Sequence, residues 1–338
     1  MNTHHKGRRS FLLPEPPTIA AWSSVAGKKE AEGPLGHCFD HTDTDSYFGQ
    51  KTWEKAESQL QKLALELLLQ KAALQPKNID LVCSGDLLNQ CISSSFSLRN
   101  TGLPALGLYG ACSTMAESLL VSSMAVGGGF AQRAVAMTSS HFASSERQYR
   151  FPLGYGGQRT PTAQWTVTGS GAALVTANGS GPKIEAATVG IVVDKGIKDA
   201  NNMGAAMAPA AFETIRTHFD DLGRSPEDYD LIVTGDLGSL GKELAETMFQ
   251  DAGIHMGNRY QDCGCMIFDP TTQDVHAGGS GCGCSAVVLC GYLLDQIATG
   301  KLKRLLFCGT GALLSPVSSQ QGESVPGVCH AVAITGGN

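Results

Sequence analysis

Charge is scarce in this sequence. Asp, Glu, Lys and Arg make up 17% of its 338 residues, against roughly 25% in an ordinary soluble protein. Much of the surface must therefore be neutral or covered by another chain, and an oligomer is expected. Positive charge is the scarcer sign: 25 Lys plus Arg face 31 Asp plus Glu, a net charge of −6. No overall basic field is available to hold a polyanion, which argues against nucleic-acid binding. Long apolar runs are missing as well. Nowhere do about 18 apolar residues follow one another, so no membrane-spanning helix is expected. Met1 to Ser10 carries Lys6, Arg8 and Arg9 but lacks the apolar stretch of a secretory leader, and a cytosolic, reducing setting is expected. The eleven cysteines are an odd number. Most sit inside apolar runs such as Leu81-Val82-Cys83 and Leu289-Cys290, where a thiol acts as a small hydrophobe.

What is abundant is glycine: 41 residues, well above the usual ~7%, dispersed among apolar runs and so marking tight turns and close backbone approaches. A repeat is also present. Asp80-Leu-Val-Cys-Ser-Gly-Asp-Leu87 recurs as Asp230-Leu-Ile-Val-Thr-Gly-Asp-Leu237. Each copy follows an amphipathic segment and a polar turn, Gln75-Pro-Lys-Asn78 and Ser225-Pro-Glu-Asp228. Downstream, Gly129 to Met137 resembles Gly300 to Cys308. The chain therefore reads as two similar halves, 1–180 and 181–338, with the boundary near Ser180. Trp53, Ala56, Leu60, Leu63, Ala64, Leu67, Leu68 and Leu74 recur at helical spacing, with Lys55, Glu57, Gln61 and Lys62 assigned to the opposite, solvent side. Short apolar runs at Leu81–Cys83, Ala134–Thr138, Ala172–Thr176, Leu231–Thr234, Leu305–Cys308 and Ala331–Ile334 predict buried strands. Their separation by helix patterns predicts βαβ units and parallel sheets covered by helices.

Gly107-Leu-Tyr-Gly-Ala-Cys-Ser-Thr-Met115 is the most informative stretch. A strand, a glycine turn and a helix pattern place Cys112 at a helix N-terminus, where unpaired N–H groups and the dipole favour a thiolate. The competing reading is a small buried residue filling a turn. His276 precedes the glycine-rich turn Ala277-Gly-Gly-Ser-Gly281, so its imidazole and the turn amides can face the same cavity as Cys112. Two Cys-Gly-Cys triplets, 263–265 and 282–284, have too few intervening residues for a structural zinc site. Asp40, Asp43 and Asp45 lack the spacing of a calcium loop and read as solvated. The segment Ser144 to Arg159 reads as a long loop whose Arg147, Arg150 or Arg159 can grip carboxylates or make ordinary surface pairs.

Together the two halves, the Gly-Ala-Cys112-Ser turn, Thr168-Gly-Ser-Gly-Ala-Ala-Leu-Val175, His276-Ala-Gly-Gly-Ser-Gly281 and Cys308-Gly-Thr-Gly311 resemble the thiolase and ketoacyl-synthase superfamily. The resemblance implies a five-layered αβαβα fold of two pseudo-repeated halves. It also implies a homodimer through the first half. It matches Cys112 to the nucleophile, His276 to the motif histidine and Cys308 to the acid/base cysteine. The sequence departs from that set where Ala277 replaces the proline after the histidine. It departs again in Thr234-Gly-Asp-Leu-Gly238, which puts Asp236 where many condensing enzymes carry a His or Asn. A carboxylate there, with its repeat mate Asp86, would disfavour a thiolate.

More closely, Leu81 to Gln90, Leu108 to Met115, Ser139 to Pro152 and Asp262 to Asp269 resemble the stage V sporulation protein AD family. That resemblance implies dipicolinic acid binding without catalysis, in the loading of calcium dipicolinate into the spore. It implies attachment at the spore inner membrane beside other stage V sporulation membrane proteins, and no cofactor. Asp86, Cys112 and His276 are the first pocket candidates. Asp236 and Cys308 come second, with His141, Arg147 and Arg150 reaching in from the long loop. Two other readings stand beside it: an acyltransferase using Cys112, and an assembly scaffold with an empty pocket.

Overall fold

The computed structural model describes residues 4–149 and 158–337. Two five-stranded arrays share one connectivity. The first contains β1 (Thr18–Ala26), β2 (Leu81–Gly85), β3 (Ala105–Gly107), β4 (Arg133–Ser140) and β5 (Gly169–Thr176), in the order β3-β2-β4-β5-β1. The second contains β6 (Lys183–Thr188), β7 (Leu231–Thr234), β8 (Tyr260–Asp262), β9 (Arg304–Ala312) and β10 (Gly327–Thr335), in the matching order β8-β7-β9-β10-β6. In each, the second strand in sequence pairs in parallel with its third and fourth. The last strand pairs antiparallel with the fourth and the first. The sheets are thus mixed, not wholly parallel as expected. An apolar run reports burial on both faces and carries no information about strand direction. The arrays meet edge to edge at one pair, Lys183 with Thr18.

The repeat extends to single hydrogen bonds. Asp80 accepts from the N–H groups of Gln132 and Arg133 at 2.8 and 2.9 Å. Asp230 accepts from Lys303 and Arg304 at 2.6 and 2.9 Å. Each aspartate thereby fixes the start of one parallel strand against the next: Leu81 opposite Ala134, and Leu231 opposite Leu305. Gly129 and Gly300 close the preceding helices with φ of +77° and +75°, a conformation that glycine adopts without strain.

Helices complete five layers. α1 (Trp53–Lys71) covers the outer face of the first array, beside α2 (Ile92–Leu98). α3 (Thr114–Gly127) lies between the arrays. After β4 comes α4 (Phe142–Tyr149); α5 (Met203–Leu222) and α6 (Gly238–Asp251) cover the second array. α7 (Cys282–Val288), prolonged through Leu289–Leu293 and Leu294–Ala298, lies beside α3 and touches both arrays. Met115, Leu119, Val287, Val288 and Leu293 fill this middle layer and are fully buried.

One expectation about α1 is corrected. Glu57 and Gln61 face the core and are 0% exposed. Glu57 accepts from the hydroxyls of Ser139 at 3.2 Å and Ser144 at 2.6 Å. Gln61 donates to the Gly85 carbonyl at 3.2 Å and accepts from the Ser97 hydroxyl at 2.6 Å. The apolar stripe therefore continues through two polar positions whose hydrogen bonds are met from β2, β4, α2 and α4.

Candidate functional site

The helices α3 and α7 occupy equivalent places in the two halves, and their N-termini converge between the sheets. The turn before α3 is forced: Ala111 has φ of +51°, a left-handed conformation that costs an alanine on the order of 1 kcal/mol. It holds Cys112 against Leu87 and Cys282, the first residue of α7. Gly311 on β9 permits the approach. A Cβ built there would lie 2.4 Å from the Gly110 carbonyl oxygen and 3.0 Å from the Ser113 nitrogen. Gly311→Ala should therefore destabilise the fold by about 3 kcal/mol or displace the Cys112 turn. Unchanged thermal unfolding together with unchanged Cys112 accessibility would refute this close packing.

Opposite Cys112 stands Asp236, carried by the turn after β7. Its carboxylate accepts from the Gly281 N–H at 2.8 Å, the Ser280 hydroxyl at 3.1 Å and the Thr310 hydroxyl at 2.8 Å, and it is the hydrogen-bonding partner of the Cys112 thiol. Burial pushes the Asp236 carboxyl up to about 6, with these donors opposing the rise. Burial, then the neighbouring Asp236 charge, drives the Cys112 thiol well above the ordinary cysteine range. The helix N-terminus alone would favour a thiolate. Here desolvation and a like charge win.

A cavity of about 60 Å³ opens at this point. Leu87, Ala111, Cys112, Ala312 and Leu314 give it apolar walls, and Ser145, Tyr149, Thr166, Asn201 and Ser280 add polar groups. Glu146 also lines it. Among the described residues no Lys, Arg or His does. The Ser145 hydroxyl is buried and has no hydrogen-bond partner among the described residues. Asn201 and Met203 come from the start of α5, whose N-cap is Asn202.

The expected site residues distribute unevenly around this cavity. Cys112 and Asp236 come together. Asp86 is buried close by, but its carboxylate accepts from the N–H of Leu88 at 2.9 Å and from the N–H and hydroxyl of Ser94 at 2.8 and 2.7 Å. It does not line the cavity. Burial pushes its carboxyl up. The His276 side chain is one-quarter exposed and pairs with Asp274 at 3.1 Å, away from the lining. Cys308 is fully buried among the residues beneath β9, beside Cys329. His141 donates from Nε2 to the Ser46 carbonyl at 2.7 Å and accepts at Nδ1 from the Ala143 N–H at 3.1 Å, and burial holds it below its ordinary range. Arg147 pairs with Glu54. Arg150 lies outside the described residues.

Sequence reasoning missed Ser145, Tyr149 and Asn201. Ser280 and Thr310 stood within quoted glycine-rich motifs but carried no signal of their own. Among the described residues no group of three or more His, Cys, Asp or Glu side chains is arranged to hold a metal ion.

A duplicated five-layer αβαβα architecture with a cysteine at the N-terminus of a central helix defines the thiolase-like class. Solved structures agree on the fold. A 3-oxoacyl-[acyl-carrier-protein] synthase III from Aquifex aeolicus VF5 superimposes with a TM-score of 0.58 at 13% identity, over 94% of this chain and 99% of that one. An OleA from Xanthomonas campestris reaches 0.64 at 13% identity, over 99% of each. Within that class, the family model for stage V sporulation protein AD matches residues 7–335. Stage V sporulation protein AD of Bacillus subtilis (strain 168) is 46% identical over 326 residues, 96% of either chain. The chain belongs to the stage V sporulation protein AD family and is a sporulation protein.

Proposed function

We propose that the protein binds dipicolinic acid, pyridine-2,6-dicarboxylate, without chemical conversion, for loading of calcium dipicolinate into the developing spore. One observation carries the non-catalytic half of this reading. The group touching the Cys112 thiol is a buried carboxyl, Asp236, which keeps the proton on sulfur. A nucleophilic cysteine needs a neighbour that removes that proton. The cavity supports the binding half: apolar walls suit a flat ring, and Ser145, Tyr149, Thr166, Asn201 and Ser280 offer hydrogen bonds to carboxylates.

Charge shapes how such a ligand would arrive. With the Asp236 carboxylate beside the lining, a free dianion meets like charge. Calcium carried in with dipicolinate removes that repulsion. The reading extends to a peripheral position at the spore inner membrane, next to other stage V sporulation membrane proteins. No helix among the described residues is long and apolar enough to cross a membrane. Homodimerisation through the first half is supported by the edge strand β3, where Leu106 is 48% exposed and the following Tyr109 is 45% exposed.

Calorimetric titration with dipicolinate, with and without calcium and against acetyl-coenzyme A, tests the proposal. Saturable dipicolinate binding, weakened about tenfold by Cys112→Ala or by filling the slot through Ser145→Leu, is the expected result. A response to the thioester alone, with Cys112 labelled by iodoacetamide faster than the other ten cysteines, would return the chain to the acyltransferases. No binding of either compound would leave the scaffold reading.

A further inference from the structure

On the other side of α4 from the cavity lies an open groove of about 530 Å³. The two are back to back. Trp165 and Thr166 form a two-residue strand paired with Gly279 and Ser280. Successive strand side chains point to opposite faces, so Thr166 lines the cavity and Trp165 the groove. α4 divides in the same way: Phe142 and Ala143 face the groove, while Ser145, Glu146 and Tyr149 face the cavity.

The groove is walled by aromatic rings and crowned by cations. Phe142 lies flat on Trp165, with centroids 3.8 Å apart and planes 7° from parallel, and Trp53 from the first turn of α1 stands across from them. Lys29 Nζ lies 4.0 Å from the centre of the Trp165 ring, and the Arg159 guanidinium carbon 4.8 Å from it. Two positive groups thus crowd one indole. Arg159 pairs with Asp274 at 3.0 Å, whereas Lys29 has no carboxylate within 4.0 Å among the described residues. Burial, then the charge of Arg159, holds the Lys29 ammonium below its ordinary range. The nearby Glu30 does little to compensate. It is fully buried, accepts from the Thr168 N–H at 3.0 Å, and burial pushes it up to about 7, so at neutral pH it is only about half ionised.

A partly desolvated ammonium and a guanidinium stand above an apolar, aromatic floor, with the exposed carboxylates of Asp274 and Glu32 near them, the first paired with Arg159 and the second with Lys28. An anion arriving there would relieve their mutual repulsion, and a ring attached to it would cover the exposed faces. We propose that this groove is a second ligand site, selective for small flat aromatic carboxylates, with the carboxylate held by Lys29 and Arg159 and the ring seated between Trp53 and the Phe142–Trp165 stack. The site does not depend on what fills the cavity. Recognition rests on ring and carboxylate alone, so chelating ability is irrelevant.

Isophthalate, benzene-1,3-dicarboxylate, is the discriminating probe. It carries two carboxylates in a 1,3-relation but has no ring nitrogen with which to chelate calcium. Tryptophan emission of the full chain, titrated with isophthalate, should be quenched saturably, equally with and without calcium, and more weakly at high salt. Lys29→Gln should weaken binding about tenfold, Arg159→Gln similarly, and Lys29→Arg by no more than about threefold. Asp236→Asn, a change at the cavity, should leave the affinity unchanged. Absence of saturable quenching in the native protein overturns the proposal. So does an affinity within about twofold of native in both Lys29→Gln and Arg159→Gln, or one that changes in either direction with the cavity variant. Circular dichroism of each variant, matched to the native spectrum, excludes misfolding as the cause of a loss.

Discussion

Asp236→Asn should increase the rate at which iodoacetamide alkylates Cys112 at pH 8 by about tenfold or more. The native carboxylate disfavours the thiolate by like charge and by accepting the thiol's hydrogen bond. The amide keeps the shape and removes the charge, so the thiol pKa falls, while burial still holds it above the ordinary cysteine range. The difference has a pH signature. Burial raises Asp236 to about 6 in the folded protein, so the ratio of variant to native alkylation rate should approach one below that pH and grow above it. Asp236→Ala is a harsher change. It leaves the Ser280 and Thr310 hydroxyls and the Gly281 N–H without their acceptor, and should cost on the order of 3 kcal/mol in chemical denaturation. Equal alkylation rates in native protein and Asp236→Asn would show that desolvation alone keeps Cys112 protonated.

The second large effect concerns stability against pH. Burial, then the charge of Asp86, raises the Glu57 carboxyl to about 8. Its unfolded value lies near the ordinary 4.5. Between these limits the folded chain keeps a proton that the unfolded chain has released, so stability falls as pH rises from about 4.5 to about 8 and then levels. Glu30 and Asp262, each raised to about 7 by burial, act in the same direction. Two histidines oppose them on the acid side. Burial lowers His218 to about 3 and His330 to about 4, so their contribution is lost as pH falls below about 6.5. Unfolding temperature should therefore decline between pH 6 and pH 8.5. Glu57→Gln should flatten that decline by the equivalent of a few kcal/mol, because Gln can keep the contacts to Ser139 and Ser144 with no charge to suppress. Parallel unfolding curves for native and Glu57→Gln protein would mean that Glu57 does not titrate between the two states.

Much of the fold was legible because burial repeats. All six apolar runs lie in strands, and the Asp80 and Asp230 copies mark equivalent strand starts. The first strand of each half escaped notice for a physical reason. Thr18–Ala26 contains Trp22-Ser-Ser, and Lys183–Thr188 contains Lys183 and Glu185, so neither forms a continuous apolar run. Ser23 and Ser24 are nonetheless fully buried: Ser23 donates to the Ala64 carbonyl, and the Ser24 hydroxyl accepts from the Asp40 N–H. Polarity satisfied inside a core looks like surface in a sequence.

The site was legible in proportion to its backbone. Cys112 was found because a glycine turn before a helix fixes where its side chain emerges. Asp236 followed from the resemblance to condensing enzymes, whose His- or Asn-bearing loop matches Thr234 to Gly238. His276 has a positive φ of +51° in its turn, and that local twist goes with a side chain aimed at Asp274, which residue spacing does not reveal. Ser145 and Asn201 reach the cavity through tertiary packing alone, from α4 and from the approach to α5.

Fusion of the two halves has a consequence for how such a protein changes over generations. Asp86 and Asp236 hold the same place in the two copies of the repeat. The first is now captured by Ser94 at the start of α2, and the second faces Cys112. Had each half remained a separate subunit, a single mutation would have altered both sides of the centre at once. In one chain the copies drift independently. One turn can be re-equipped around the cysteine while its twin keeps holding the scaffold, so no step has to rebuild both halves.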